Sequence, residues 1–156
     1  MSKKIIVIIK GGLGNQLFCC ATAKAMALSN QAILVIDKKT GFKKDYKYNR
    51  NYSLNHFNIN EKILYSTDYL YQFYRIFYKL SSLINRILSF EKRYYIKQYS
   101  DDFDYSLLSK KVIKHLYLDG YWQSENYFIK HKSLILQDLK IIPPADRKNK
   151  ETAERI

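Results

Sequence analysis

A glycine-rich turn is the first place where this chain could do chemistry. Gly11-Gly12-Leu13-Gly14-Asn15-Gln16 lies between a short apolar run and an alanine-rich segment, so it reads as the junction of a strand and a helix. At a helix N-terminus the backbone N–H groups are unpaired and the dipole is positive, so anions bind well there. Glycine lets the chain turn tightly and lets a phosphate or a sugar approach the backbone. The amides of Asn15 and Gln16 can hydrogen-bond sugar hydroxyls or phosphate oxygens. The pattern by itself leaves alternatives open. A dinucleotide fingerprint wants a third glycine where Leu17 stands, and a Walker loop wants Gly-Lys-Ser/Thr, which is missing. Asp37, closing the next apolar run, is where a nicotinamide fold places its ribose-binding acid. The plainest alternative is a tight strand-to-helix turn with Asn15 as N-cap and Gln16 solvated.

A second cluster, Tyr121, Trp122, Gln123, Ser124 and Glu125, follows an apolar run that ends at Asp119-Gly120. It reads equally as an aromatic platform with polar groups at a strand's C-terminal edge, where open α/β sheets place ligands, or as a buried anchor with Ser124 as cap and Glu125 favouring a helix dipole. Asp37, Asp119 and Glu125 sit near predicted strand ends and are the candidate bases, each also a plausible cap or ion-pair partner. His56, His115 and His131 are scattered, and with the adjacent Cys19 and Cys20 they offer none of the spacings zinc sites use, so no metal is expected. Consecutive Cα atoms are about 3.8 Å apart, too close for ordinary disulfide geometry. The two thiols are therefore expected to be reduced, which points to the cytoplasm.

The elements that must position these groups follow from the apolar pattern. Ile5-Ile6-Val7-Ile8-Ile9 is apolar on both faces and β-branched throughout, as in a strand buried in a parallel sheet. A helix is predicted from Asn15 to about Ser29, ended by Asn30, and a second strand from Ala32 to Ile36, closing at Asp37. Strand, glycine turn, helix and strand make a βαβ unit, the start of a doubly wound α/β sheet. The polar stretch from Lys38 to Asn60 reads as a long loop. Apolar residues at Leu70, Phe73, Phe77, Leu80, Ile84 and Ile87, three or four apart, predict an amphipathic helix from Tyr69 to about Phe90. Lys111 to Leu118 reads as another strand. A helical stretch begins at Ser124, breaks near Ser133 and is stopped by Pro143-Pro144. Asp146 can cap a last helix, which reaches Ile156 without a stop signal and suggests a truncation of something longer.

With 156 residues, 47% of them hydrophobic, the chain is expected to form a single domain with a real core despite a formal net charge of +13. The Ile5–Ile9 run is far below the roughly 20 residues needed to span a bilayer, and too short for the core of a signal peptide.

The string Gly11-Gly12-Leu13-Gly14-Asn15-Gln16-Leu17-Phe18, running into an Ala/Lys-rich helix, closely resembles the start of the α-1,2-fucosyltransferases. Leu118 to Phe128 is similar to that family's Gly-Tyr-(Phe/Trp)-Gln-Ser-Glu-x-Tyr-Phe segment. Asp37, followed by Tyr52-Ser53-Leu54-Asn55-His56-Phe57-Asn58-Ile59, resembles the family's aspartate and its Tyr-x-Leu-x-x-Phe-x-Ile stretch. The likeness runs from Lys4 to Ile156. It implies the Rossmann-like N-terminal half, residues 1–156, of a bacterial GT-B glycosyltransferase: a parallel sheet flanked by helices. The implied enzyme is inverting and metal-independent, and it moves L-fucose from GDP-fucose to the 2-hydroxyl of a galactose-terminated glycan. Gly11, Gly12, Gly14, Asn15, Gln16 and Tyr121 to Glu125 would contact donor or acceptor. The family's His-x-Arg-x-Gly-Asp-Tyr motif, whose arginine is expected to hold the donor diphosphate, is absent from this sequence. The half with the main donor site is thus missing, and the chain alone is expected to be inactive.

Two rival classes compete with an enzyme. A basic chain with 15 tyrosines fits a surface that stacks on nucleic acid, although no binding motif is present and no nucleic acid is expected. The Tyr69 to Arg93 segment, basic on one face and aromatic on the other, fits a peripheral contact with an anionic inner membrane.

Overall fold

The computed structural model describes residues 2–59, 62–64, 80, 84, 85 and 87–143. Strand β1 (Lys4–Ile8) pairs in parallel with β2 (Ile33–Asp37) on one side and with β5 (His115–Asp119) on the other, Ile6 lying opposite Val35 and Tyr117. Two three-residue strands, β3 (Lys62–Leu64) and β4 (Tyr95–Lys97), add to the edges, giving the order β3-β2-β1-β5-β4 with every pairing parallel. This is a Rossmann-like α/β arrangement, and its sheet is buried on both faces. Because side chains alternate along a strand, Ile5, Val7 and Ile9 join Leu34, Ile36, Leu116 and Leu118 in one cluster, while Ile6, Val35, Tyr95 and Tyr117 form another.

Helix α1 (Leu13–Asn30) packs on β1 and β2. It begins two residues before the predicted Asn15, with Gly12 as N-cap, so Asn15 is not the capping residue. Gln31, in the left-handed region at φ 51°, closes it by donating to the Ala27 and Leu28 carbonyls. Asn30 is the last helical residue, as expected, and does more than stop the helix. Its amide donates to the Met26 and Lys110 carbonyls, and its Oδ1 accepts from Val112 N–H at 2.8 Å. That clamp takes the polar backbone of residues 110–112 away from the sheet, which is why β5 begins at His115 rather than at Lys111.

The Lys38–Asn60 loop carries 3-10 turns at Thr40–Phe42 and Leu54–His56. A short helix α2 (Tyr105–Ser109), capped by Asp104, escaped the sequence pattern. The helical stretch at Ser124 is two 3-10 turns, Glu125–Tyr127 and Ile129–His131, leading into α3 (Lys132–Asp138). Its break lies at Phe128 (φ −133°, ψ 4°) rather than near Ser133. Of the predicted Tyr69–Phe90 helix, 69–79, 81–83 and 86, with its basic residues Arg75, Lys79 and Arg86, lie outside the described residues, as does the last helix from Asp146. Leu80 and Ile84 are helical, but Asn85 and Ile87 to Ser89 are turn or irregular and Phe90 opens a 3-10 turn, so the helix does not reach Phe90. Among the described residues, no helix is long and apolar enough to cross a membrane.

Candidate functional site

Strand order reverses between β1 and β5, and an open α/β sheet offers its ligand crevice beyond the C-terminal ends of two such strands. Beyond β1 comes Lys10 and the glycine turn; beyond β5 come Gly120 to Gln123. The fold therefore brings the two sequence clusters together across more than a hundred residues of chain. Lys10 Nζ lies 2.6 Å from Asp119 Oδ1 and 4.9 Å from the centre of the Tyr121 ring. Gln123 Nε2 donates to Asn15 Oδ1 at 2.7 Å.

Gly11 is required where these groups meet. Its φ is +77°, and a Cβ there would stand 2.8 Å from the Asn15 amide nitrogen and 2.9 Å from the Tyr121 ring. Gly12 and Gly14 are different: a Cβ at either would enter open space. The N–H groups of the first helical turn, Leu13 to Asn15, have no acceptor within the helix.

Gln16 is fully buried, and its side chain is spent inside the protein. Nε2 donates to the Gly11 and Asn51 carbonyls at 3.0 and 2.9 Å, and Oε1 accepts from Ser53 N–H at 2.8 Å. It fastens the 51–53 loop to the glycine turn. Trp122 is likewise buried, 1% exposed, and holds a left-handed backbone at φ 54°. Gln98 makes that possible: its Oε1 accepts from both Tyr121 and Trp122 N–H, at 2.8 and 2.9 Å. From the other side the Cys19 thiol donates to the Gly120 carbonyl at 3.1 Å, and burial pushes its pKa up to about 12, so it stays a neutral donor.

Of the three carboxylates, Asp37 accepts from Lys39 N–H, Thr40 N–H and Thr40 Oγ1–H at 3.1, 2.9 and 2.6 Å, which ties it to the backbone at the start of the following turn. Glu125 is exposed and pairs with Lys132 at 3.3 Å, and Ser124 caps the 3-10 turn through Asn126 N–H. Asp119 alone is in the crevice. Its Oδ2 also accepts from Tyr95 O–H at 2.5 Å. Burial on its own would raise its pKa, but the hydrogen bonds from Lys10 and Tyr95 and the nearby Lys97 together hold it below the ordinary carboxylate range. An anion so held is a poor proton acceptor and a good anchor for Lys10. Nothing in the sequence singled out Lys10, Tyr95 or Gln98: each acts through a partner distant in the chain, and only the end of the apolar run at Asp119-Gly120 marked the place.

The lowered Asp119 pKa has a measurable sign. A group depressed in the folded state adds stability above its unfolded value of about 3.9, and that stability is lost as pH falls through the folded value. The difference in melting temperature between parent and Asp119→Asn is expected to be largest near neutral pH and to shrink below about pH 4. A gap that stays constant down to the acid limit contradicts the pairing.

The histidines lie apart, His131 Nε2 sharing a hydrogen bond with Ser29 Oγ at 2.9 Å. Among the described residues no three His, Cys, Asp or Glu side chains cluster as metal ligands.

No family model matches the chain, and no solved structure does. An alpha-1,2-colitosyltransferase of Escherichia coli is 27% identical over 128 residues, 82% of this chain and 42% of that protein. The similarity relates the chain to a bacterial glycosyltransferase of which it spans less than half the length.

Proposed function

We propose that this chain is the N-terminal half of an inverting glycosyltransferase of GT-B type that carries L-fucose from GDP-fucose to the 2-hydroxyl of a galactose-terminated glycan, without a metal. The observation that carries the reading is the meeting of the glycine turn with the Tyr121–Gln123 segment at the C-terminal edge of β1 and β5. The α-1,2 linkage named for the E. coli relative agrees with it. Displacing GDP from an anomeric carbon passes through an oxocarbenium-like state, and the departing diphosphate gathers negative charge. In this half Lys10 and the partly positive first-turn N–H groups of α1 are the groups that could meet that charge. Asp119 and Tyr95 keep Lys10 extended toward the crevice, and Asn15, Gln123 and Tyr121 present amides and a ring edge that suit sugar hydroxyls. Gln16, Gln98 and Trp122 hold those groups in place.

The test joins the chain to the C-terminal half of an α-1,2-fucosyltransferase, so that the donor site suits fucose, and supplies GDP-fucose and lactose. The expected product is a fucosylated lactose, formed by the joined protein and not by residues 1–156 alone. Gly14→Ala is the informative variant. Alanine there meets no atom and suits a helix better than glycine by about 0.5–1 kcal/mol, so the fold should be as stable or more so. If the turn lies against a substrate, transfer falls ten-fold or more, while lost activity in a destabilised protein, or full activity, removes the turn from the site. A folded joined protein that transfers no fucose sinks the reading.

A further inference from the structure

Because every pairing is parallel, the strands all begin at the end of the sheet opposite the crevice. The segments leading into β1, β2, β4 and β5 there bring together Lys3-Lys4, Ile33, Glu91 to Tyr94 and Lys110 to Lys114. They are tied side by side. Lys4 N–H donates to the Lys114 carbonyl at 2.8 Å, Ile33 N–H to the Lys3 carbonyl at 2.9 Å, and Tyr117 N–H to the Tyr94 carbonyl at 2.8 Å. The Lys110 ammonium, 4% exposed as a residue, donates to the Phe90 and Glu91 carbonyls, and the Asn30 clamp holds residues 110–112. A platform fixed in this way gives up little entropy on docking.

The platform is strongly basic. Glu91 is the one acid in these segments, and it acts on the buried Lys110, whose pKa is lowered by burial and raised again by that carboxylate. Lys3, Lys4, Lys92, Lys111 and Lys114 form no ion pair among the described residues. Their field is felt at His115, whose pKa is lowered by burial and then by the Lys4 charge. Apolar groups stand among these cations: Ile113, between Lys111 and Lys114 in the chain, is 67% exposed, Ile33 44% and Tyr94 38%. We infer that this end of the sheet docks on an anionic bilayer, the lysines at the lipid phosphates and Ile113, Ile33 and Tyr94 between the headgroups and the acyl chains. Basic side chains gain from the negative surface potential, and apolar and tyrosine side chains from the interface beneath it. A single nucleic-acid strand would also meet the charge, but it binds by stacking on aromatic faces, and the most exposed apolar group here is aliphatic. The surface lies away from the Lys10 crevice and does not depend on the transferase reading.

Co-sedimentation of the whole chain with vesicles of equimolar phosphatidylglycerol and phosphatidylcholine, and with phosphatidylcholine alone, reads the docking. Binding to the mixed vesicles is expected to weaken as salt rises and to exceed binding to phosphatidylcholine by about ten-fold or more. Lys92→Gln/Lys111→Gln/Lys114→Gln, at three exposed positions, should lose about ten-fold or more of it. Lys44→Gln/Lys47→Gln/Lys140→Gln removes as much charge from exposed positions elsewhere and should lose less than about three-fold. Ile113→Ser should weaken vesicle binding by about three-fold or more and leave binding to a single-stranded oligonucleotide unchanged. Absence of binding to the mixed vesicles, equal losses in the two lysine triples, or undiminished vesicle binding by Ile113→Ser overturns the proposal. So does a loss in the first triple that is confined to the oligonucleotide, which would assign the surface to nucleic acid.

Discussion

Trp122→Ala is expected to lower the stability of the chain by about 3–5 kcal/mol, the range for truncating a large aromatic residue in a core. Trp122 is 1% exposed, stands edge-on to Tyr127 with ring centres 5.8 Å apart, and belongs to the main cluster under the sheet. Against a total stability of about 5–15 kcal/mol that is a large fraction. The backbone adds a sharper expectation. A left-handed residue with a Cβ costs roughly 1–2 kcal/mol, and Trp122 is held at φ 54° by two hydrogen bonds to Gln98. Glycine is free of that cost, so Trp122→Gly should be at least as stable as Trp122→Ala, reversing the usual order of the two. Urea unfolding followed by circular dichroism reads this, since the chain has a single tryptophan and the variants lose their fluorescence. An alanine variant more stable than the glycine variant would mean that the 120–122 turn does not hold its left-handed form. Trp122→Phe is expected to be mild, because the indole Nε1 has no hydrogen-bond partner among the described residues and its loss strands nothing.

The same segment shows how far residues alone reach. β1, α1 and β2 are legible because each is long enough to show its period: an apolar run, alanines at helical spacing, a second apolar run. β3 and β4 have three residues each and no period to show, so their place in the sheet comes from pairing with longer strands. The glycine turn and the Tyr121–Gln123 cluster are both visible as patterns, yet their meeting depends on β5 lying beside β1. Lys10 and Asp119 are 109 positions apart. Gln98, in an unpatterned stretch, carries no sign that it accepts two backbone N–H groups. Trp122 is the instructive case: its residue type suits a ligand platform and a core anchor equally, and burial assigns it to the second.

Adjacent amides in the glycine turn should separate stability from chemistry. Gln16→Leu keeps the volume and removes three hydrogen bonds, leaving the Gly11 carbonyl and Ser53 N–H without their partner and the Asn51 carbonyl with the Ser53 hydroxyl at 3.2 Å. A stranded buried group costs about 1–3 kcal/mol, and two of these contacts are only partly buried, so the total should be about 3 kcal/mol. Gln16→Glu should fare no better, because its carboxylate keeps the bond to Ser53 and faces two carbonyls that need donors. Asn15→Ala loses one exposed bond to Gln123 and no cap, since Gly12 is the N-cap; its melting point should shift by no more than a surface substitution's roughly 0.5 kcal/mol implies. In the joined transferase the order inverts. Asn15→Ala, if its amide meets a charged or sugar group in the crevice, gives up about 1.5–3 kcal/mol of that contact and ten-fold or more in rate. Gln16→Leu, once folded at low temperature, loses activity only as far as the turn has loosened. Thermal melts of both variants beside their transfer rates decide it: a destabilised Asn15→Ala with normal turnover would return Asn15 to a purely structural role, and a stable Gln16→Leu would show that the clamp between the turn and the 51–53 loop is not what holds the crevice.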